Sequence, residues 1–433
     1  MGVSRWFIGW LLLRLLELAK TVRSLVGAVI DLVDLKLSFH MTKKPGTFAF
    51  LVHPRSSEFH HDDVYGANDI FRPFPALRWL TYLLKPERAD AWILWFAKWI
   101  NPIRLSRITV RTPGKTFRGY LLSTVRTPEQ LFRGGKDTRN HLSDLFSLAG
   151  SKRVERVGLG ALLPSVSRYG KDMQTKVIDE RPAISTGHAY TGYVIVEYLR
   201  MLTERRNIGS PVTRIAIVGA AGSTGKAALR TLIATWRSRV HIELVLVDVP
   251  QKEVQLQRLV NEANACGKFV NVHKATSLEQ LRTCEYVVCV VSAIGTVIQP
   301  EHLKPGTVVI DDSQPRNTSP ALKQNGVAVL DVLARVNGLD VGFDFGFDVE
   351  DKGITFTCLA ETVLATAVGV IDDLAVGEVT VETVARTVEI VRKAEAMGLV
   401  GPLPFVSFGK QMSISEVDRV FEPEPEKNAP AAP

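Results

Sequence analysis

The stretch IAIVGAAGSTGKAALRTL, residues 215–232, decides the fold. An apolar run, Ile215 to Val218, enters glycine directly, and glycines recur at 219, 222 and 225 before apolar residues resume with helical spacing. A strand, a glycine-rich turn and a helix in that order let a backbone without Cβ atoms approach a pyrophosphate. The helix then offers that anion N–H groups at its positive end. Glycine spacing alone is a weak signal. Its context carries the reading, because the next apolar run, IELVLVD, ends on the acidic Asp248 about where a ribose partner is expected. The candidate dinucleotide-binding residues are therefore Gly219, Gly222, Ser223, Thr224, Gly225 and Asp248. A carboxylate at 248 would bond a ribose diol and repel a 2′-phosphate, which suggests NADH, while Arg230 or Lys252 could still accept the phosphate of NADPH.

Working outward, the runs RIAIVG, IELVLVD, KFVNVHK, YVVCVVS, TVVIDDS and VAVLDV alternate with helical segments. Continuous Val/Ile runs suit strands buried on both faces, hence a parallel sheet with helices on either side. This predicts an α/β protein whose residues 209–345 form a Rossmann-type, doubly wound domain. Ser292 and Gly295, in VVSAIGTVIQP, fall at the end of its fourth strand, where the nicotinamide half of a cofactor binds in such sheets. An ordinary strand-to-loop turn is the alternative there.

Before the polar joint ERRNIGSPVT the pattern is less regular. KKPG closes a hydrophobic leader, residues 1–45. TFAFLVHP reads as a strand stopped by Pro54, and the aromatic, Pro-rich stretch up to Pro102 reads as part of a binding surface or a lid. RITVRTPGKTFRGYLLSTV has two β-rich runs around Thr112, Pro113 and Gly114, a hairpin signature. A helix is expected from Thr127 to about Leu148, then strands in RVERVGLGALL and PAIST, each followed by a helix. Residues 46–208 thus form a mixed α/β substrate domain. Residues 346–412 carry two returning helices, roughly 355–372 and 380–398, and 413–433 end in a loose Pro/Glu/Ala tail.

At 433 residues, 46% hydrophobic and 23% charged, the chain can bury a sizeable core and is not a disordered protein. Its four cysteines show no CxxC pairing, so neither a structural zinc nor a disulfide framework is expected, in keeping with a reducing compartment. The crowded EFHHDD, residues 58–63, invites a metal reading. Adjacent side chains rarely converge on one ion, however, and a solvated loop is expected. A net charge of +8 favours an anionic partner without choosing among nucleic acid, an acidic protein and a membrane. The leader narrows the choice. Arg14, Glu17, Lys20, Arg23 and Asp31 interrupt its apolar run, so it is a poor membrane span, and its helical periodicity continues to Leu35 without a cleavage signature. Trp6, Trp10 and the flanking cations suit a helix lying in lipid headgroups; burial on the protein or on a second subunit is the equal alternative. The expected location is cytoplasmic, peripheral on an anionic inner membrane face, with nucleic acid not among the partners.

The remaining feature is GITFTCLAETVL, residues 353–364, where Cys358 stands between a β-branched run and the start of a helix. A helix N-terminus lowers a thiol's pKa and its N–H groups could hold an oxyanion. On local grounds alone a buried, inert cysteine is the better reading.

Three segments shift that balance. STGHAYTGYVI (185–195), the VGAAGSTG loop with the later VIDDSQPRN, and FTCLAETVL (356–364) occur in the order found in long-chain acyl-[acyl carrier protein] reductases, which the chain resembles over roughly 150–372. His188 departs from that family, which usually has Asn there, and the leader is an addition to its compact form. The resemblance implies NADPH-dependent reduction of a long-chain acyl thioester, of acyl carrier protein or coenzyme A, to a fatty aldehyde. Cys358 would be the acyl-accepting nucleophile, His188 or Tyr193 the proton donor, and Glu361 would orient a neighbour or cap the helix. The rivals are a shikimate- or amino-acid-type dehydrogenase without a covalent step, and a membrane-docked dinucleotide-binding protein without turnover.

Overall fold

The computed structural model describes residues 2–36, 43–54, 102–124, 126–174, 181–206, 212–293, 295–314, 316–343 and 353–419. The aromatic stretch, EFHHDD and the C-terminal tail lie outside these residues. The chain forms two compact units. One comprises residues 1–187, 335–378 and 388–401, the other 188–334, 379–387 and 402–433.

In the first unit, helix α1 (Gly2–Lys36) leads into strand β1 (Thr47–Val52), then β2 (Ile103–Arg111) and β3 (Thr116–Ser123). The β2–β3 pair is the expected hairpin, antiparallel with Arg111 opposite Thr116, and Thr112 N–H closes it on Lys115 O at 2.9 Å. Next come α2 (Pro128–Phe132), α3 (Gly135–Ser151), β4 (Arg156–Leu159) and β5 (Ala183–Ser185). The sheet order is β2-β3-β1-β4-β5, with β1 parallel to both β3 and β4, β4 parallel to β5, and the short strand Leu339–Asp340 antiparallel to β2 at the edge. Helix α3 lays Leu142, Leu145, Phe146 and Ala149 against Ala49, Leu51, Leu122 and Val157, all nearly inaccessible to solvent.

The single helix expected from Thr127 to Leu148 is two. Thr127 starts α2 with a reciprocal capping box to Gln130, but Gly134 and Gly135, both at positive φ (64° and 86°), then break the helical path at the start of α3. Two adjacent residues of that conformation cannot continue a right-handed helix. The first returning helix is also shorter than expected: it spans Thr357–Ala367 and unwinds at Gly369, φ 75°. The second spans Val381–Ala396. No described helix is long and apolar enough to cross a membrane.

The second unit begins with α4 (His188–Arg206) and continues β6 (Thr213–Val218), α5 (Ser223–Thr235), β7 (Ile242–Val247), α6 (Glu253–Ala265), β8 (Asn271–Ala275), β9 (Tyr286–Cys289), β10 (Val308–Asp311) and β11 (Ala328–Asp331). The sheet order is β11-β10-β9-β6-β7-β8, every pairing parallel. This is the doubly wound order of the Rossmann fold, and it reverses between β6 and β9, where the crevice for a ligand opens beyond the strands' carboxyl ends. Five of its strands are buried along most of their length, which is why they read as unbroken apolar runs, whereas the edge strand β8 buries only Val272.

The first unit is pinned behind β5 by a partly buried polar knot. Asp373 accepts from both Arg181 terminal nitrogens (2.9 and 2.7 Å), from Gln174 (2.7 Å) and from Ile184 N–H (2.8 Å). Burial raises its pKa, but these bonds to Arg181, Gln174 and Ile184 overcome that and hold it below the ordinary carboxylate value. A carboxylate whose folded pKa is depressed contributes stability above its unfolded pKa and loses it as pH falls through the folded one. Asp373→Asn should therefore cost about 1–3 kcal/mol near pH 7. The gap to wild type should close in urea titrations below about pH 4, and a gap independent of pH would contradict the ionised knot.

Candidate active-site residues

In the first unit, Phe356 ends the extended segment Ile354–Phe356 and opens helix α7 (Thr357–Ala367) without a side-chain cap. Cys358 is therefore in the first turn of α7, and its burial is intermediate. Beside it is Gly187, at φ 80°; a Cβ built there would lie 2.3 Å from the Cβ of Cys358. Only glycine lets the chain after β5 pass so close to the cysteine. That chain is fixed by Glu361, 3% exposed, whose Oε1 accepts from Ser185 Oγ at 2.5 Å and from Gly187 N–H at 2.9 Å. Both of these bonds to Glu361 come from the end of β5 and the chain after it. Thr362 Oγ1 donates to Cys358 O at 2.9 Å, and its side chain occupies the space a Cβ on Gly158 would need.

The other cysteines are differently placed. Burial pushes Cys284 up to about 11, and burial followed by Asp311 raises Cys289 well above the ordinary thiol value. Cys266 caps the C-terminal end of α6, its thiol donating to Ala263 O at 3.0 Å. Of the four, Cys358 joins a helix N-terminus to partial exposure.

In the second unit the glycine turn joins β6 to α5. Gly219, φ 86°, leaves no room for a Cβ, which would meet Val290 O at 2.8 Å; one on Gly225 would meet Gly219 O at 2.3 Å. Gly222 opens α5 with no side-chain bond to the helix, followed by Ser223 and the half-buried Thr224. This uncapped helix start beside a turn bounded by Gly219 and Gly222 fits a dinucleotide pyrophosphate. Asp248, at the end of β7, is tied into the turn. Its Oδ2 accepts Ala221 N–H at 2.8 Å and its Oδ1 accepts Val249 N–H at 2.9 Å. Arg230, considered for a phosphate, is committed instead to Glu262, at 2.8 and 3.1 Å, and to Val379 O, whereas Lys252 is exposed just beyond Asp248.

Ser292 and Gly295 lie in the exposed turn after β9, Gly295 at φ 92°. The residue holding that turn is Asn317, which belongs to VIDDSQPRN and to which the sequence pattern assigns no role. Its Nδ2 donates to Ala293 O (3.0 Å) and Gly295 O (2.7 Å), and its main-chain carbonyl accepts from Val297 and Ile298. Gly192 is a second residue with no signal in the motif reading. It lets α4 cross α5 closely, since a Cβ there would sit 2.6 Å from the Ala227 carbonyl carbon.

His188 opens α4, and its Nδ1 lies 3.1 Å from Ser223 Oγ, so it joins the glycine turn. The residue keeps some accessible surface, yet crowding by protein around the ring depresses its pKa to about 4, burial being the cause. The imidazole is therefore neutral near pH 7. Tyr193 is stacked on Tyr190, ring centroids 6.1 Å apart, and at five positions beyond His188 it is turned about 140° around the helix. It does not share the face of His188.

No protein-family model matches the chain. Among curated proteins, the long-chain acyl-[acyl-carrier-protein] reductase of Synechococcus elongatus is 27% identical over 185 residues, 42% of this chain and 51% of the reductase. This is a distant relationship, and it spans about half the relative's length. Among solved structures, the iminosuccinate reductase of Paracoccus denitrificans in complex with NAD+ aligns over 50% of this chain and 67% of its own, at 14% identity and a TM-score of 0.27. The lactate dehydrogenase of Trichomonas vaginalis in complex with NADH and oxamate aligns over 50% and 82%, at 16% identity and a TM-score of 0.23. The fold assignment rests on the strand order rather than on these partial overlaps.

Because the folded pKa of His188 lies below its unfolded value, protonation favours the unfolded chain between about pH 6.5 and 4. Wild-type stability should fall across that window by at most about 3 kcal/mol. His188→Gln should flatten the slope in denaturant titrations, and an unchanged slope would mean the ring is not the group responsible.

Proposed function

We propose that the protein is a nicotinamide-dependent oxidoreductase that reduces a long-chain acyl thioester to the aldehyde, with Cys358 as acyl acceptor. The observation that supports this most is the placement of Cys358. It is a partly accessible residue in the first turn of α7, against a glycine that the buried Glu361 holds in place. The distant likeness to an acyl-[acyl-carrier-protein] reductase points the same way.

On this reading the Cys358 thiolate attacks the acyl carbonyl of acyl carrier protein or coenzyme A. The acyl group passes to sulfur, and the carrier leaves as its own thiol. N–H groups at the start of α7 face the charge that develops on the carbonyl oxygen. Gly219, Gly222 and Gly225, with Asp248, would hold the dinucleotide, which supplies the hydride that turns the acyl-Cys358 thioester into a thiohemiacetal. Its collapse releases aldehyde and returns the thiolate. Neutral His188 donates a hydrogen bond rather than a proton from an imidazolium, and Ser223 fixes its ring. Residues 46–208 would hold the acyl chain, and the reaction would run at a cytoplasmic, anionic membrane face.

Intact mass spectrometry after mixing with palmitoyl-coenzyme A in the absence of nicotinamide should show one added acyl group. Cys358→Ser should retain no labile thioester, and NADH or NADPH should discharge the wild-type adduct. Aldehyde formation should drop to background in Cys358→Ala; full activity in that variant would refute the covalent route and favour a dehydrogenase without one.

A further inference from the structure

Helix α1 has its polarity inverted. Among the side chains described, the shielded positions are Arg14, Glu17, Thr21, Ser24, Leu25 and Ala28, gathered on one side by helical spacing, and Gly27 farther round the helix. Four of these seven are polar. Arg14 pairs with Glu17 at 2.9 Å, Thr21 donates back to Glu17 O at 2.9 Å, and α1 lies against α3 and the Arg104 guanidinium, 3.3 Å from a Cβ built on Gly27. The other face carries Leu12, Leu15, Leu16, Val22, Val26 and Ile30, each more than half exposed. A helix on a water-facing surface does the reverse.

A second feature lies on the same side of the sheet. Tyr120 and Leu122 pack under α3, and residues directly opposite in an antiparallel pair share a face. Arg107 opposes Tyr120, Arg111 opposes Thr116, and Arg118 lies two residues before Tyr120. All three arginines therefore emerge on the side that carries α3 and α1. They are exposed, and among the described residues none forms an ion pair.

We infer that this side of the first unit is a docking surface for an anionic lipid bilayer, with the outer face of α1 sunk in the interface and Arg107, Arg111 and Arg118 on headgroup phosphates. Charge complementarity selects the occupant, because arginines on the same side of the unit as an apolar helix face match acidic headgroups above acyl chains. The breadth of the apolar face agrees. From Leu18 round to Leu16 it spans roughly 160° of the helix, wider than the seam of a helix pair and suited to a continuous apolar phase. Arg23, exposed within that face, is long enough to reach back to the headgroups. This assigns the surface behind the membrane location proposed above and is independent of the thiol chemistry.

Vesicle flotation of the full chain tests it, with phosphatidylcholine vesicles containing 30% phosphatidylglycerol against phosphatidylcholine alone. The anionic vesicles should hold the protein at least tenfold more strongly. Arg107→Ala/Arg111→Ala/Arg118→Ala should weaken that partition by roughly a hundredfold and flatten its salt dependence. Leu16→Glu/Val26→Glu, at exposed positions, should abolish it with an unchanged circular dichroism spectrum and Tm. Equal binding to both vesicles, or wild-type flotation of either variant, would overturn the assignment. So would a helix variant that changes only a dimer into a monomer in sedimentation, because the face would then belong to a second copy. Acylation of Cys358 by dissolved palmitoyl-coenzyme A, measured on the same variants, should be unaffected, so the surface and the chemistry fail separately.

Discussion

The buried Glu361 carboxyl is the constraint on which the cysteine site depends. A carboxyl placed at 3% exposure loses its hydration and needs replacement donors, and these come from Ser185 Oγ and Gly187 N–H at one oxygen. The end of β5 is thereby bound to α7 by groups that have no alternative partner in water. Glu361 lies less than one helical turn beyond Cys358, so the bond also fixes the height of the thiol against the β5 chain. An alanine at 361 would leave two buried donors unsatisfied, a change unlike the loss of a surface carboxylate.

From that fixed point the chain passes into α4 and the second unit. Gly187 touches Cys358, and the next residue, His188, bonds Ser223. Each contact belongs to its own unit, but a single peptide bond joins them. Burial keeps the imidazole neutral, so the link is a hydrogen bond between neutral groups and does not place a cation beside the site proposed for a pyrophosphate.

The sequence was most legible where one physical pattern dominates. Strands buried on both faces read as unbroken Val/Ile runs, and the glycine turn could be read because steric exclusion at Gly219 and Gly225 leaves no other residue. The pattern was misleading where a local conformation overrides periodicity. The apolar spacing from Thr127 to Leu148 looks like one helix, and only the left-handed Gly134–Gly135 pair divides it. Long-range polar contacts were not legible at all: nothing near Glu361 in sequence announces Ser185, 176 residues away, nor does Asn317 announce the turn it holds. The leader was half legible. Its composition shows an apolar helix with charges, but which face turns inward depends on α3 and Arg104, which are remote in sequence.

Asp248 carries a structural role besides the ribose-binding one its position suggests. Its two oxygens each accept a backbone N–H, from Ala221 and Val249, so the carboxylate braces the glycine turn. Each oxygen retains a further lone pair, and ribose hydroxyls could still bond to it. What the bracing removes is freedom: the charge cannot swing away from an arriving 2′-phosphate, and Arg230, a cation that would offset it, is held by Glu262. On the proposed reading, any preference for NADPH would fall to the exposed Lys252 working against a fixed negative charge, whereas NADH would need no such compensation.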